Sequence, residues 1–345
     1  MKFSTPHIAR ALALAAALAA APLAMAQAPA PAPTPVAPPD GILIYNAQHA
    51  GLTKEWAEGF TRETGIKVVI RQGSDTEIGN LLVQEGANSP ADVFLTENSP
   101  AQVLVDNAGL FAALPADIVN QVPAEYRPAN GKWIGIAART TVFAYNKDML
   151  KPEQLPKSML DLARPEWKGR WAASPSGADF QAIVGAFLQL KGEEATAAWL
   201  KAMKENATLI RGNSTAMKAA NAGEIPGALI YHYYYFGDQA KTGEISNKIG
   251  MHYFRNQDPG AFVSISGGGV LASSKKQVQA QAFLKWVTGK GGQDVLRNGD
   301  SFEYAVVGPS NPKLEPLDKL QAPKVDASRL DNKKVIELMT RANLL

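Results

Sequence analysis

Two blocks of the chain, residues 41–110 and about 165–240, alternate short apolar runs with helical stretches. The first block opens with the run GILIYN at 41–46, a pattern typical of a β-strand. A helical pattern follows, in which Trp56 and Phe60 lie four residues apart on one face. Repeated βα units predict a parallel sheet with helices on both faces. The chain is therefore expected to have an α/β fold.

Two long extended segments, near 133–145 and 261–271, separate the blocks and predict two α/β lobes joined by a pair of hinge strands. Such lobes leave a ligand cleft between them, at the carboxyl ends of the strands. We assign residues 41–138 and 265–312 to lobe 1 and residues 139–264 to lobe 2. Residues 313–345 are expected to form a C-terminal tail that ends in a helix.

The first 26 residues have the features of a cleaved secretory signal peptide. Lys2 and Arg10 precede a short apolar run at 11–23, and the cleavage pattern Ala-Met-Ala follows at 24–26. The alternative is a transmembrane anchor, but the run is too short and Pro22 interrupts it. The Ala/Pro-rich residues 27–40 favour an extended leader that cannot bury a core.

Composition excludes several classes of protein. The chain has no cysteine, which excludes a disulfide scaffold, a thiolate metal site and a lipid-anchored cysteine. Its formal net charge of +3 includes Lys2 and Arg10, and no acidic residue lies in the signal peptide, so +1 remains after cleavage. That balance is typical of neither a nucleic-acid-binding nor a membrane-surface protein. We expect a monomer without membrane insertion.

An aromatic run, Tyr-His-Tyr-Tyr-Tyr-Phe, begins at Tyr231 and holds four of the nine tyrosines. It has two interpretations: a buried aromatic strand, or a cluster of oxygen donors for a hard cation. On a regular strand, Tyr231, Tyr233 and Tyr235 would face one side and Tyr234 the other. Adjacent tyrosines reach one ligand only if the strand ends there. Gly237 and the residues after it are typical of a turn into a helix.

Polar donors follow two strands of the first block. His49 follows the first strand, and Glu97 follows the strand ADVFLT at 91–96. Both are therefore expected at the carboxyl edge of one sheet, where ligands bind in such folds. Taken alone, each has a simpler interpretation, as a solvated loop histidine and as a carboxylate favoured by a helix N-terminus.

No enzyme motif is present: the sequence contains neither a P-loop nor HExxH. The three glycines at 267–269 predict close backbone packing in a strand rather than a dinucleotide fingerprint. The segment around Ser176 is superficially similar to a nucleophile elbow but lacks the leading glycine. We expect no enzyme, and the rival from another class is a secreted serine hydrolase using Ser176.

Five segments in order resemble the periplasmic ferric-ion-binding proteins of bacterial ABC importers. They are YNAQH at 45–49, TEN at 96–98, RTTVFAY at 139–145, WKG at 167–169 and the YY pair at 233–234. The resemblance implies a class II, two-lobed periplasmic binding protein of the Venus-flytrap type. It further implies that Fe(III) is captured in the cleft, that the lobes close, and that an inner-membrane ABC permease receives the iron. The rival within this fold binds an organic or anionic solute, such as a phosphonate, a polyamine or thiamine.

The resemblance also implies a ligand set. One histidine, one glutamate and two adjacent tyrosines bind the metal in that family, and they correspond to His49, Glu97, Tyr233 and Tyr234. Tyr235 stands where relatives often have tryptophan, so a pair shifted by one residue is the alternative.

A synergistic anion, phosphate or carbonate, accompanies the metal in part of that family. Its pocket corresponds to Ser176, Gly177 and Asn213 of this chain. Tyr231 replaces an asparagine that stands two residues before the tyrosine pair in those relatives, which leaves the anion open and allows a third phenolate near the metal. We therefore expect iron binding to depend less on phosphate than in asparagine-bearing relatives.

Overall fold

The computed structural model describes residues 35–345, and the signal-peptide prediction and residues 27–34 of the leader lie outside that range. Within the described residues, nine strands form one sheet. They are β1 (Gly41–Ala47), β2 (Lys67–Gln72), β3 (Val93–Thr96), β4 (Trp133–Asn146), β5 (Trp171–Ala173), β6 (Ala207–Leu209), β7 (Gly227–Tyr231), β8 (Ile249–His252) and β9 (Val263–Val270). Their order is β2-β1-β3-β9-β4-β7-β5-β6, with β8 also paired to β4.

Eleven α-helices lie within residues 35–345, and none of them has the length and apolar character needed to cross a membrane. They are α1 (Ala50–Thr64), α2 (Asp75–Glu85), α3 (Ser99–Asn107), α4 (Ala116–Val119), α5 (Ala178–Asn206), α6 (Asn213–Ala222), α7 (Tyr233–Gln239), α8 (Gln277–Thr288), α9 (Lys290–Asn298), α10 (Leu317–Leu320) and α11 (Asn332–Arg341). Gly192, with φ of 82°, interrupts α5, which therefore consists of two helical segments that run end to end.

The sheet is mixed. β1 is parallel to β2 and β3, as the βα units predict. β9 is antiparallel to β3 and β4, and β4 is antiparallel to β7 and β8. The prediction of a parallel sheet is wrong where β4 or β9 takes part, because these two strands come from the long extended segments and not from βα units. In the second block β5 is parallel to β6 and β7, as predicted.

Helices cover both faces of the first part of the sheet, as predicted. Alternate residues of β1 face opposite sides, which is the period of a strand. Ile42 and Ile44 belong to the core cluster that includes Trp56 of α1, whereas Leu43 belongs to the cluster that includes Leu82 of α2. All five side chains are at most 2% exposed, so β1 is packed on both faces.

The strands β4 and β9 correspond to the predicted hinge segments. β4 pairs with β9 through Thr140 and then with β7 from Thr141 onward, without a break in the strand. The predicted lobe boundaries, 138/139 and 264/265, fall inside these two strands and stay a prediction. A Cβ at Gly267 would lie 2.3 Å from Gln102 Cγ, so the glycines of β9 do allow close packing.

Candidate metal centre

His49 and Glu97 meet at the carboxyl edge of the sheet. β1 and β3 are adjacent and parallel, with Ala47 opposite Thr96, so the residues that follow them lie side by side. The Nε2 atom of His49 is 2.8 Å from Oε1 of Glu97. Both side chains keep some solvent exposure, 31% for His49 and 22% for Glu97. The expected juxtaposition of these two donors is therefore present.

Tyr233 and Tyr234 lie in the first turn of a helix and not on a strand. β7 ends at Tyr231 and α7 begins at Tyr233, so the two phenols project in neighbouring directions rather than from opposite faces. Their ring centroids are 4.2 Å apart. The predicted turn at Gly237 is wrong, because that residue lies inside α7.

His232 stands between the strand and the helix and is held on two sides. Its backbone N–H donates to Thr140 O at 3.1 Å, and its Nε2 lies 2.7 Å from Phe302 O. The ring is fully buried, and burial lowers the pKa of His232 to about 4. This neutral histidine therefore fixes the turn that places the tyrosine pair.

The tyrosine pair faces His49. The ring centroids of His49 and Tyr233 are 4.8 Å apart. All four predicted ligands, His49, Glu97, Tyr233 and Tyr234, are thus in one place. Tyr235 instead packs against Phe236, with ring centroids 5.4 Å apart. This geometry favours the pair at 233–234 over the shifted alternative.

Asp179, which sequence reasoning missed, lies at the centre of the tyrosine side. Its Oδ2 accepts hydrogen bonds from Tyr234 OH and Asn213 Nδ2, both at 2.9 Å, and from Tyr233 OH at 3.3 Å. Its Oδ1 accepts a hydrogen bond from Asn98 Nδ2 at 3.1 Å. Asp179 is 4% exposed. The hydroxyls of both phenols are therefore already hydrogen bonded to a buried carboxyl group.

The predicted anion residues border the same cleft. Ser176 and Gly177 precede α5, and Asn213 opens α6. Asn213 donates to Asp179 and also to Tyr234 OH at 3.2 Å. Tyr231 is buried, and its hydroxyl donates to the backbone oxygen of Asp179 at 3.3 Å. The phenol of Tyr231 thus supports the chain at Asp179.

Glu303 and Arg139 form a second buried group, behind His49, that sequence reasoning also missed. Glu303 Oε1 is 2.9 Å from His49 Nδ1, and its Oε2 is 2.8 Å from Arg139 Nη2. Both side chains are fully buried. Arg139 also donates from Nη1 to Glu97 O at 2.5 Å, and its guanidinium lies 5.6 Å from the ring centroid of Tyr233.

Burial and the charged neighbours have opposite effects on the pKa values of His49 and Glu303. Burial alone would lower the pKa of His49, but the hydrogen bonds to Glu303 and Glu97 outweigh it and raise the pKa to about 10. Burial would raise the pKa of Glu303, but the charge of Arg139 and the contact with His49 lower it to about 2. Without a metal, His49 is therefore an imidazolium between two carboxylates.

On the tyrosine side, burial and the neighbouring charge shift the pKa values in the same direction. It raises the pKa of both Tyr233 and Tyr234, and the nearby charge of Asp179 raises them further. Burial likewise raises the pKa of Asp179, helped by repulsion from Glu97. The phenols are therefore protonated without a metal and can become phenolates only if a cation compensates them.

Two cavities reach these donors. One of about 510 Å³ is lined by the predicted anion residues together with His49 and Glu97. The other, of about 470 Å³, has His49, Tyr233 and Tyr234 in its wall, with the acidic side chains of Glu55, Asp238 and Asp300 around it. His49 and Tyr234 line both cavities, so the donor set is open to solvent from two directions.

No group of three or more histidine, aspartate or glutamate side chains suited to a metal occurs among residues 35–345. The candidate set has one histidine and one glutamate, and its other two members are phenols. The histidines of the described chain, His49, His232 and His252, hydrogen bond through their rings to groups other than Ser176. The geometry thus gives no support to a serine hydrolase.

The chain resembles proteins that bind ferric iron. The family model for bacterial extracellular solute-binding proteins matches residues 88–329. The chain is 69% identical over 307 residues to the Fe(3+)-binding periplasmic protein of Serratia marcescens, covering 88% of this chain and 91% of that protein. It is 36% identical over 300 residues to the major ferric iron-binding protein of Neisseria meningitidis serogroup B, covering 85% and 89%. Iron-bound HitA from Pseudomonas aeruginosa has a similar structure, with a TM-score of 0.84 and 38% identity over 90% of this chain and 100% of that one.

Proposed function

The chain belongs to the bacterial extracellular solute-binding proteins, among the ferric-ion-binding members of that family, and from this we propose that it captures Fe(III) in its cleft and delivers it to an ABC importer. The expected fold class, a two-lobed α/β periplasmic binding protein, is confirmed by the match to iron-bound HitA. The family is one of substrate-binding proteins, and we propose no catalytic step.

One observation carries the proposal of the metal site. His49 and Glu97, from two strand ends, lie beside Tyr233 and Tyr234, from the start of a helix, in the walls of two cavities. A trivalent hard ion prefers anionic oxygen ligands, which a carboxylate and two phenolates supply. We propose these four side chains as the protein ligands.

Metal binding at this site displaces protons. The metal takes the lone pair of His49 Nε2 only after that nitrogen loses its proton, and each phenol loses one as well. The attraction between Fe(III) and the deprotonated ligands compensates the free-energy cost of removing these protons. Fe(II), with one charge less, compensates it poorly. Capture of Fe(III) and release on reduction or acidification follow from the same donor set.

The rival solutes are distinguished by the charge of the site and by how closely its donors converge. Carboxylates would repel a phosphonate, whereas thiamine or a polyamine is itself a cation but would need contacts with apolar or aromatic walls over most of its surface. Here two carboxylates, Glu97 and Asp179, and two phenols converge within hydrogen-bond distance of His49 or of one another. That set fits a small, highly charged cation better than any of the rival solutes.

A visible spectrum tests the proposed function. We expect the purified protein to become coloured when Fe(III) is added as a weak chelate, because phenolate-to-iron charge transfer absorbs visible light. The band should saturate at one iron per chain and disappear on reduction with dithionite. A protein that stays colourless and retains no iron after gel filtration would contradict the proposal, and thiamine and spermidine binding would then be measured by calorimetry.

We further propose that Asp179 takes the place of the synergistic anion. Asn213, a predicted anion contact, already donates to Asp179, as do both candidate phenols. Its position in the first turn of α5 gives this carboxylate the favourable helix-dipole field that an anion would otherwise occupy. Asn213 and both phenols are thus already hydrogen bonded to a carboxylate of the protein.

Iron titrations in different buffers test the role of Asp179. We expect wild-type affinity for Fe(III) to be the same in phosphate-free, phosphate and carbonate buffers. Asp179→Ala should weaken binding in phosphate-free buffer, and phosphate or carbonate should restore part of it, because an added anion can fill the vacated space. Asp92→Asn is the matched control, since Asp92 is a buried carboxylate at the other end of β3. A wild-type protein that requires phosphate would contradict this prediction.

The compartment and the partner are proposals of the same kind. Periplasmic relatives support the periplasm as the place of function, and the signal peptide stays a prediction. An inner-membrane ABC permease is the expected recipient of the iron, because solute-binding proteins of this family serve such importers. We propose that the protein works there as a monomer.

A further inference from the structure

His49 is held through both ring nitrogens. Nε2 points to Glu97 and the tyrosine side, and Nδ1 points away from it to Glu303, at 2.9 Å. Glu303 lies 254 residues after His49 and is fully buried, behind the imidazole. A neutral imidazole has one N–H and one lone pair, so the partner of Nδ1 decides which nitrogen is free to bind a metal.

Glu303 is itself fixed by three donors on one oxygen. Its Oε2 accepts hydrogen bonds from Arg139 Nη2 at 2.8 Å, Ser266 Oγ at 3.2 Å and Gln48 Nε2 at 3.3 Å. These contacts leave Oε1 aimed at His49. Gln48 also accepts a hydrogen bond from the backbone N–H of His49 at 2.7 Å, so the backbone and the ring of His49 are anchored by the same group.

We propose that Glu303 is a positioning residue for metal binding. Its carboxylate accepts the Nδ1–H of His49, which keeps Nε2 as the nitrogen with the free lone pair and holds the ring toward Glu97 and Tyr233. A carboxylate can only accept a hydrogen bond, so the ring orientation that turns a carbon toward Glu303 is disfavoured. The inference rests on the proposed function, because it assigns a role to Glu303 in binding Fe(III) through His49.

Two substitutions test separately the length and the charge of the Glu303 side chain. Glu303→Asp keeps the pairing with Arg139 but is one methylene too short to touch His49 at the same time. Glu303→Gln keeps the length, but its amide NH₂ must face either Arg139 or His49, both of which are donors. We expect each variant to bind Fe(III) about 10–100-fold more weakly, the usual cost of losing a partner that orients a metal-binding histidine. Glu315→Gln is the matched control, since Glu315 accepts a hydrogen bond from Arg255 at 2.8 Å, and its affinity should be unchanged.

A double-mutant cycle distinguishes positioning from a structural role. If Glu303 acts through His49, Glu303→Asp should add little to the loss of affinity caused by His49→Ala. Full additivity of the two losses, or equal affinity of Glu303→Asp and wild type, would overturn the inference. Should Glu303→Gln fail to fold, Glu303→Asp alone completes the cycle.

A spectroscopic measurement complements the cycle. Ga(III) is a diamagnetic stand-in for Fe(III), so the ring protons of His49 can be observed by NMR in the loaded protein. We expect a slowly exchanging, low-field Nδ1–H signal in wild type and Glu315→Gln, and its loss in Glu303→Asp. A signal that persists in Glu303→Asp would overturn the inference. A wild-type protein that binds neither metal would instead contradict the proposed function.

Discussion

Replacing either Tyr233 or Tyr234 with phenylalanine is expected to abolish most of the iron-dependent colour and to weaken Fe(III) binding by at least about 100-fold. Each change removes one anionic oxygen but keeps the ring and its packing. Loss of a partner outside the metal's own ligands costs about 10–100-fold in affinity, so loss of a ligand should cost at least as much. Visible absorbance and competition against a chelator of known affinity measure both effects.

Tyr235→Phe is the matched control for this prediction. Tyr235 belongs to the same aromatic run but packs against Phe236, so its colour and affinity should match wild type. If Tyr235→Phe loses the colour while Tyr233→Phe keeps it, the pair is shifted by one residue. Thermal unfolding without iron should accompany the titrations, because Tyr233 and Tyr234 also donate to Asp179.

The sequence predicts the His49–Glu97 side of the site from general rules. Both residues follow strands of one βα block, and the ends of adjacent parallel strands share an edge. The structure places Ala47 opposite Thr96, so the following residues meet as expected. The local pattern is sufficient here, because residues that follow adjacent parallel strands lie close together in space.

The tyrosine side is less accessible to such rules. Alternation along a strand would separate Tyr233 from Tyr234, and only the resemblance to a known family identified them as a pair. The residue between the strand and the helix is His232, whose partners are Thr140 and Phe302, both distant in the sequence. Strand propensity is overridden here by tertiary contacts, and no local pattern records them.

The buried charges were missed for a related reason. Arg139 stands within an apolar extended run, WIGIAARTTVFAY, and a buried arginine requires an acidic partner. That signal predicts that a carboxylate exists, but it does not say which one. Glu303 lies 164 residues further along the chain, and Asp179 is an ordinary first-turn acid of a helix until its neighbours are known.

The second large effect is expected at Arg139. Arg139→Met should lower the free energy of unfolding of the metal-free protein at pH 7 by about 3–5 kcal/mol, the usual cost of removing one partner of a buried ion pair. The change leaves Glu303 fully buried without its guanidinium partner at 2.8 Å. It also removes the hydrogen bond to Glu97 O, which helps to hold that proposed ligand. Urea unfolding followed by circular dichroism measures the loss.

Arg255→Met is the control, because Arg255 pairs with Glu315 at the same 2.8 Å but is 39% exposed. An exposed pair contributes at most about 1 kcal/mol, so this variant should unfold nearly like wild type. Equal losses in the two variants would show that Arg139 is not needed to compensate Glu303.

The pH dependence of the loss at Arg139 has a definite sign. In wild type the pKa of Glu303 is lowered from 4.5 to about 2, chiefly by Arg139 once burial has been overcome. A lowered carboxyl pKa in the folded state contributes stability that is fully present above about pH 4.5 and is lost as the pH falls toward 2. Arg139→Met removes that contribution, and Glu303 then gains a proton more readily in the folded protein.

The difference in unfolding free energy between wild type and Arg139→Met should therefore be smaller at pH 3 than at pH 7. A difference that stays constant or grows on acidification would mean that the Arg139–Glu303 charge pair is not the source of the effect.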